Sequence, residues 1–479
     1  ADLALIAPRT RGIRTYAAEE GDYDTAALAQ RHGLKLWQGI WLGQDSSRNE
    51  KEITRGIALA NRYPDTIERV VVGNEVLLRR DLPVDALIAA IDRVRAAVHQ
   101  PVTYADVWEF WEKFPEVAAH VDVVTIHILP YWEDHPTNID GAIDHVRAIV
   151  GRVKALFPGK PVAIGETGWP SRSRWRQDAA PGLVNEAVFL RRFVALAQQE
   201  HFDYNFIEAF DEIWKYQSEG TVGANWGLWT AARREKFPLA GPVAENPAWP
   251  VAAGFSVLLG LLLLAGGLAP GLDPAAQLRL AALAMVLGGA LGFAWAGTAP
   301  VLYDLRLRIA GTGNLAGQSV LAWLLMRRAA ALLAGRRLLS PRTGEQATQT
   351  VRDLFRPRVE KLRDWQAWAF EDLSFVFLWT AGLLQCLLLF DPRYRDFPLP
   401  TFAVPLAAVV VRAGLRDLPL HGGGREEFFA GAVLALGAIA SMVREGPLNR
   451  QALIWNLSAL LLAAPALLRC LRLRVRAPA

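Results

Sequence analysis

With 479 residues, 52% of them hydrophobic, and a mean hydropathy of +0.16, the chain is too long for one ordinary domain and too apolar for a wholly water-soluble one. The formal net charge is only +4, and the arginines crowd between apolar runs of the second half, a pattern of membrane-flanking loops that leaves no nucleic-acid role. Cys386 and Cys470 are the two cysteines and both lie in that apolar half, so a disulfide framework or cysteine metal site is excluded from the first half.

In chain order, "ADLALIAPRTRG" opens the sequence without a starting Met, a charged segment or an apolar leader segment. Strand-like runs then recur about every 30 residues, at 12–17, 35–42, 68–76, 102–107, 121–130, 160–170 and 202–212. Between them lie stretches such as "PVDALIAAIDRVRAAVHQ" and "VNEAVFLRRFVALAQQEH", whose apolar residues repeat at three and four, as in helices packed by one face. Strands alternating with helices over residues 1–245 predict a parallel sheet covered by helices, and this length suits a closed (β/α)8 TIM barrel. The pattern supplies seven of the eight strands. We expect the first upstream of Ala1, with "DLALIAP" as the end of the first helix.

Two of these runs end unusually. "VVVGNEV" places Asn74 and Glu75 after an apolar run, and "VAIGETGWP" does the same with Glu166, followed by Trp169. In a parallel barrel the C-terminal strand ends face the active site. Two carboxylates at two such ends are what glycoside hydrolysis needs: one protonates the leaving oxygen, the other attacks the anomeric carbon or activates water.

At these residues the chain resembles glycoside hydrolase family 17, the β-1,3-glucanase and glucanosyltransferase family, from Ala1 to about Pro238. The matching words are "GIRTYA", "VVGNEV", "IHILPYW", "AIGETGWPS", "EAFDEIWK" and "NWGLW". The resemblance implies a retaining enzyme with its acid/base at the end of the fourth barrel strand and its nucleophile at the end of the seventh. Allowing for the first strand, these are Glu75 and Glu166. We expect the anionic Glu166 to raise the pKa of Glu75. By the same resemblance Asn74 faces the sugar 2-hydroxyl, Tyr131 orients Glu166, and His127, Tyr16 and Arg14 sit near other strand ends, Arg14 either directly or as a buried ion pair beneath the site. Asp211, Glu212, Trp214 and Lys215 are expected to line a sugar subsite, and Trp132 and Trp169 are among the indoles of the strand-end loops that suit a glucan cleft. No cofactor and no metal are expected.

Plant members commonly carry Pro-Tyr-Phe where this chain reads "LPYWED", a variant that resembles bacterial membrane-linked members acting as transglycosylases. The implied activity is β-1,3-glucan transglycosylation. The alternatives are an endo-β-1,3-glucanase, and a non-catalytic glucan-binding module of a glucan synthase complex.

Residues 246–479 read as an all-α membrane domain with seven spans, near 251–268, 278–297, 316–333, 368–390, 401–411, 427–443 and 451–468. The basic loop 335–364 and the tail with Arg469, Arg472, Arg474 and Arg476 are both cytoplasmic only if the barrel lies outside. This predicts a multi-pass protein of the cell inner membrane with a periplasmic catalytic domain and a cytoplasmic C-terminus. Its partners would be β-1,3-glucan or gluco-oligosaccharides, the lipid bilayer and an inner-membrane glucan synthase.

Overall fold

Seven strands form one parallel sheet: β1 (Gly12–Arg14), β2 (Lys35–Ile40), β3 (Ile67–Asn74), β4 (Val102–Val107), β5 (Val123–His127), β6 (Val162–Thr167) and β7 (Tyr204–Phe206), each hydrogen-bonded to the next in sequence order. They come from a computed structural model that describes residues 1–475, apart from 20, 22, 269–270, 337, 339–351, 353–363, 391–394 and 419–423. Six of the seven strands fall inside the runs expected from the sequence, and β3 starts one residue earlier, at Ile67. The chain divides into two compact units, 1–214 with 222–245, and 215–221 with 246–479.

In the first unit, β3 to β6 are buried on both faces, as expected of a parallel sheet covered by helices. Trp37, Val71, Ala105, Val123 and Ala163 cluster on one side of the strands. Neighbouring positions such as Val70, Val72, Val124, Ile126 and Ile164 are also fully buried. The covering helices include Ser46–Arg62, Val84–Arg95, Ala142–Leu156 and Leu183–Glu200. The segment after the last strand packs on the first: Ile6 of the short helix Asp2–Ile6 clusters with Phe210 and Trp229, and Ile13 of β1 packs against them. The result is a nearly closed seven-stranded barrel with its strand ends gathered at one mouth.

The second unit is helical and built around one apolar core. Among the described residues five helices are long and apolar enough to cross a membrane: Trp249–Gly267, Pro274–Val301, Trp365–Phe390, Arg425–Glu445 and Arg450–Arg469. Two of the seven expected spans differ. The third lies in the helix Leu305–Leu333, which carries Arg306, Arg308, Arg327 and Arg328, and the fifth lies in the shorter Leu399–Gly414. Both of these helices contribute buried residues to the core. Two of their charges are internalised, since Arg328 and Arg412 both bond Asp417 and Arg412 lies 2.7 Å from Glu371, whereas Arg306, Arg308 and Arg327 are exposed. Most of the basic loop 335–364 lies outside the described residues, as does Arg476 of the tail.

Candidate active site

Register brings the site together. His127, the last residue of β5, pairs with Glu166 of β6, and Asn74 at the end of β3 pairs with Ala105 of β4. Gly165 is required here, because a Cβ on it would stand 3.1 Å from the imidazole of His127. Glu75 leaves the sheet in the left-handed conformation, φ 51° and ψ 33°, and caps the four-residue helix Val76–Arg79. Gly73, at φ 82°, makes the turn just before it.

The buried imidazole of His127 lies between the two carboxylates, with Nδ1 3.1 Å from Glu75 Oε1 and Nε2 3.7 Å from Glu166 Oε1. One oxygen of each glutamate and a His127 nitrogen all lie within 4.8 Å of one another. That closeness matches the retaining arrangement, whose carboxyls stand about 5 to 5.5 Å apart, and leaves too little room for the water that an inverting pair must hold between them.

Arg14, at the end of β1, lies beneath this group. Its Nη1 donates to the Gly165 carbonyl at 2.7 Å and to Glu166 Oε1 at 3.3 Å, and its Nη2 donates to Asn74 Oδ1. It also stacks on Tyr16, with the guanidinium 4.8 Å from the ring centroid. Arg14 is therefore a buried ion pair under the site, one of the two readings expected of it. Glu75, His127 and Glu166 have donor atoms close enough to hold a metal ion, but the Arg14 guanidinium stands 3.4 Å from His127 Nε2, so a cation there would meet a fixed positive charge.

Arg79, which sequence reasoning missed, stands 3.8 Å from Glu75 Oε2 and stacks over Trp41. Its separation of four residues from Glu75 on a short helix was the available signal. Burial opposes the charged form of Glu75, but the His127 hydrogen bond and charge, followed by Arg79 and Arg14, outweigh it and hold the carboxyl below its usual range. This corrects the expectation that Glu166 raises it, because a hydrogen-bonded imidazole and two guanidiniums dominate the local field.

The remaining expected residues separate into groups. Tyr131 is buried, donates to the Arg174 carbonyl and packs edge-on against Trp169 and Trp226. Trp132 stacks on Tyr131 with Arg176 over its ring, and is half-buried. Trp169 is 1% exposed and its indole donates to the Ala180 carbonyl, so it packs the loop and offers no open face. Asp211 pairs with buried Lys236 at 2.7 Å and accepts the Gly227 amide at 3.1 Å. Trp214 is 66% exposed, and its indole donates to Glu212 at 2.7 Å. Lys215 belongs, with the rest of Lys215–Thr221, to the second unit.

Comparison with known proteins gives the family. Residues 1–227 match the BtgE/BtgC glycoside hydrolase domain family. A glucan 1,3-beta-glucosidase of Schizosaccharomyces pombe is 31% identical over 257 residues, which span 50% of this chain and 79% of that protein. A glucan 1,3-beta-glucosidase of Candida albicans is 26% identical over 267 residues, covering 50% of this chain and 84% of its own length. The crystal structure of a glycoside hydrolase family 17 beta-1,3-glucanosyltransferase from Rhizomucor miehei aligns with a TM-score of 0.46 at 28% identity, over 50% of this chain and 90% of that one. With paired glutamates at two strand ends and a relative of this identity matched over most of its length, the chain belongs to the glycoside hydrolase family 17 type of retaining β-1,3-glucan-active enzymes.

Proposed function

We propose that the chain is a membrane-tethered β-1,3-glucan transglycosylase in which Glu166 is the nucleophile and Glu75 the acid/base. The observation that carries the division of labour is the close pair of carboxylates at the ends of β3 and β6, bridged by His127. Glu166 attacks the anomeric carbon while the bond to the leaving oxygen breaks and Glu75 delivers a proton to that oxygen. An acceptor hydroxyl then attacks the glycosyl-enzyme, freeing Glu166 and returning a proton to Glu75. Asn74, held by Arg14, faces the mouth beside Glu75, where it suits the sugar 2-hydroxyl. Trp132, half-buried beside Arg176, suits an acceptor sugar at its exposed edge, and a held sugar outcompetes water by effective concentration.

The tether rests on the five apolar helices, which leave Val251, Leu262, Leu278, Phe390 and Val443 exposed on their outer faces, an arrangement that water would penalise and lipid accepts. If Leu305–Leu333 and Leu399–Gly414 also cross, both basic segments fall on one side, with the barrel opposite. The internal pairing of Arg328 and Arg412 makes those two crossings tolerable. This reading puts the barrel in the periplasm, the tail in the cytoplasm, and a glucan synthase of the inner membrane within reach as a partner.

Incubating the full chain in detergent with β-1,3-gluco-oligosaccharides and sizing the products tests the reading. Products longer than the substrate are expected. Shorter products alone would leave an endo-β-1,3-glucanase, and binding without turnover would leave a glucan-binding module.

A further inference from the structure

Glu75 has an awkward double position. It is the N-cap of Val76–Arg79, yet its side chain makes no capping bond, because the carboxyl is engaged with His127. A helix start leaves amides that need acceptors, ordinarily supplied by the capping side chain itself. Glu75 also sits at positive φ, which strains a residue with a side chain and persists only where the surroundings enforce it.

The next strand supplies both needs. On β4, Tyr104 and Asp106 are two residues apart and so share one face. Tyr104 Oη accepts the Leu77 amide at 3.0 Å and Asp106 Oδ2 accepts the Leu78 amide at 3.3 Å, while the Tyr104 hydroxyl donates to the same Asp106 oxygen. The Val107 amide donates to Asp106 Oδ1 at 2.8 Å, and the Glu75 amide donates to the Ala105 carbonyl at 2.8 Å. Three of these bonds hold the turn that carries Glu75 from a strand that follows it by some 30 residues, and the other two fix the Asp106 carboxylate on its own strand. Both side chains are buried. A neutral acceptor would serve capping alone, whereas a buried carboxylate is costly unless its charge is used.

Resting on the reading of Glu75 as acid/base, we infer that Tyr104 and Asp106 are positioning residues for it: together they fix the left-handed turn that aims its carboxyl, and the Asp106 charge favours the protonated form of that carboxyl. The groups facing Asp106 are Tyr104 on its own strand, Glu75 after β3 and His127 on β5, while Arg79 acts on Tyr104. Burial pushes the Asp106 carboxyl up to about 6, against the lowering effects of the Tyr104 hydroxyl and His127. As pH rises through that value Asp106 gains a negative charge, which favours the protonated form of Glu75 and extends the acid-competent range upward.

The test compares Asp106→Asn, Tyr104→Phe and Glu75→Ala in the full chain on two substrates, a β-1,3-gluco-oligosaccharide and a dinitrophenyl β-glucoside whose leaving group needs no proton. For Asp106→Asn and Tyr104→Phe we expect kcat on the oligosaccharide to fall by about 10²-fold with KM little changed, the scale of a misplaced catalytic group. The burst of dinitrophenolate should be far less affected, and the alkaline limb of the pH profile should move to lower pH in Asp106→Asn. Equal losses on both substrates in the two variants, or an unshifted limb with wild-type kcat, would overturn the inference. Glu75→Ala separates the two claims: if it too loses both substrates equally, the acid/base reading itself fails, whatever the other variants do. Tyr104→Phe carries the test alone if Asp106→Asn does not fold.

Discussion

Nδ1 of His127 lies 3.1 Å from Oε1 of Glu75, although 52 residues separate them in the chain. That hydrogen bond is the first of the influences that hold Glu75 below its ordinary pKa against burial. His127→Ala should therefore raise the Glu75 pKa. Since the alkaline limb of kcat/KM marks loss of the proton from the acid, that limb should move to higher pH. A pH profile that stays put or moves down would contradict the bridge. Total activity should fall as well, because the imidazole also spaces the two carboxylates.

The proposed roles of the carboxylates differ in what a small nucleophile can repair. Glu166→Gly should abolish turnover, and azide should restore it with formation of the α-glycosyl azide. Glu75→Ala should lose about 10²–10⁴-fold on a glucan, the usual scale of general acid–base help. It should retain most of its reaction with an activated aryl glucoside, and with azide it should yield the β-glycosyl azide. Product configuration read by NMR checks this, and exchanged anomers would exchange the assignments.

Trp169 and Trp214 make opposite predictions from the same residue type. Trp169 is 1% exposed inside a cluster with Tyr131 and Phe189, so Trp169→Ala should cost about 3–5 kcal/mol of stability, as buried aromatic truncations do. Trp214 is 66% exposed, so Trp214→Ala should leave the unfolding midpoint unchanged and act, if on anything, on KM. Thermal unfolding and steady-state kinetics of the two variants decide between packing and sugar contact.

In the second unit Arg412 lies 2.7 Å from Glu371 and 3.3 Å from Asp417, with little solvent access to any of the three. Removing one partner of such a group strands a buried charge, so Arg412→Ala should cost about 3–5 kcal/mol. Replacing Arg412 and Glu371 together by Met and Leu should recover most of it, because Asp417 keeps Arg328. Unfolding in detergent measures both. An Arg412→Ala protein as stable as the parent would show that the network is not what holds these helices.

The placement of the strands was legible in the sequence because it depends on local pattern: apolar runs mark the buried strands, and an Asn-Glu or Gly-Glu ending marks where each meets solvent. Glu75 and Glu166 could thus be found at strand ends, and their meeting follows from any barrel that closes. The apolar half showed its helices for the same reason, though composition alone placed seven crossings where five helices meet the length and apolarity of a span, and it could not show that Arg328 and Arg412 are paired inside. Which groups touch was decided by tertiary structure. Arg14 reaches Glu166 across 152 residues, Lys236 draws Asp211 into a buried pair, and Asp106 and Tyr104 take over the capping that Glu75 leaves undone. The direction of the Glu75 pKa belongs to the same class. It is a balance between burial and the charges of His127, Arg79 and Arg14. Chain spacing specifies a side chain's face, but electrostatic and packing terms depend on distances between strands, and only the folded barrel fixes those distances.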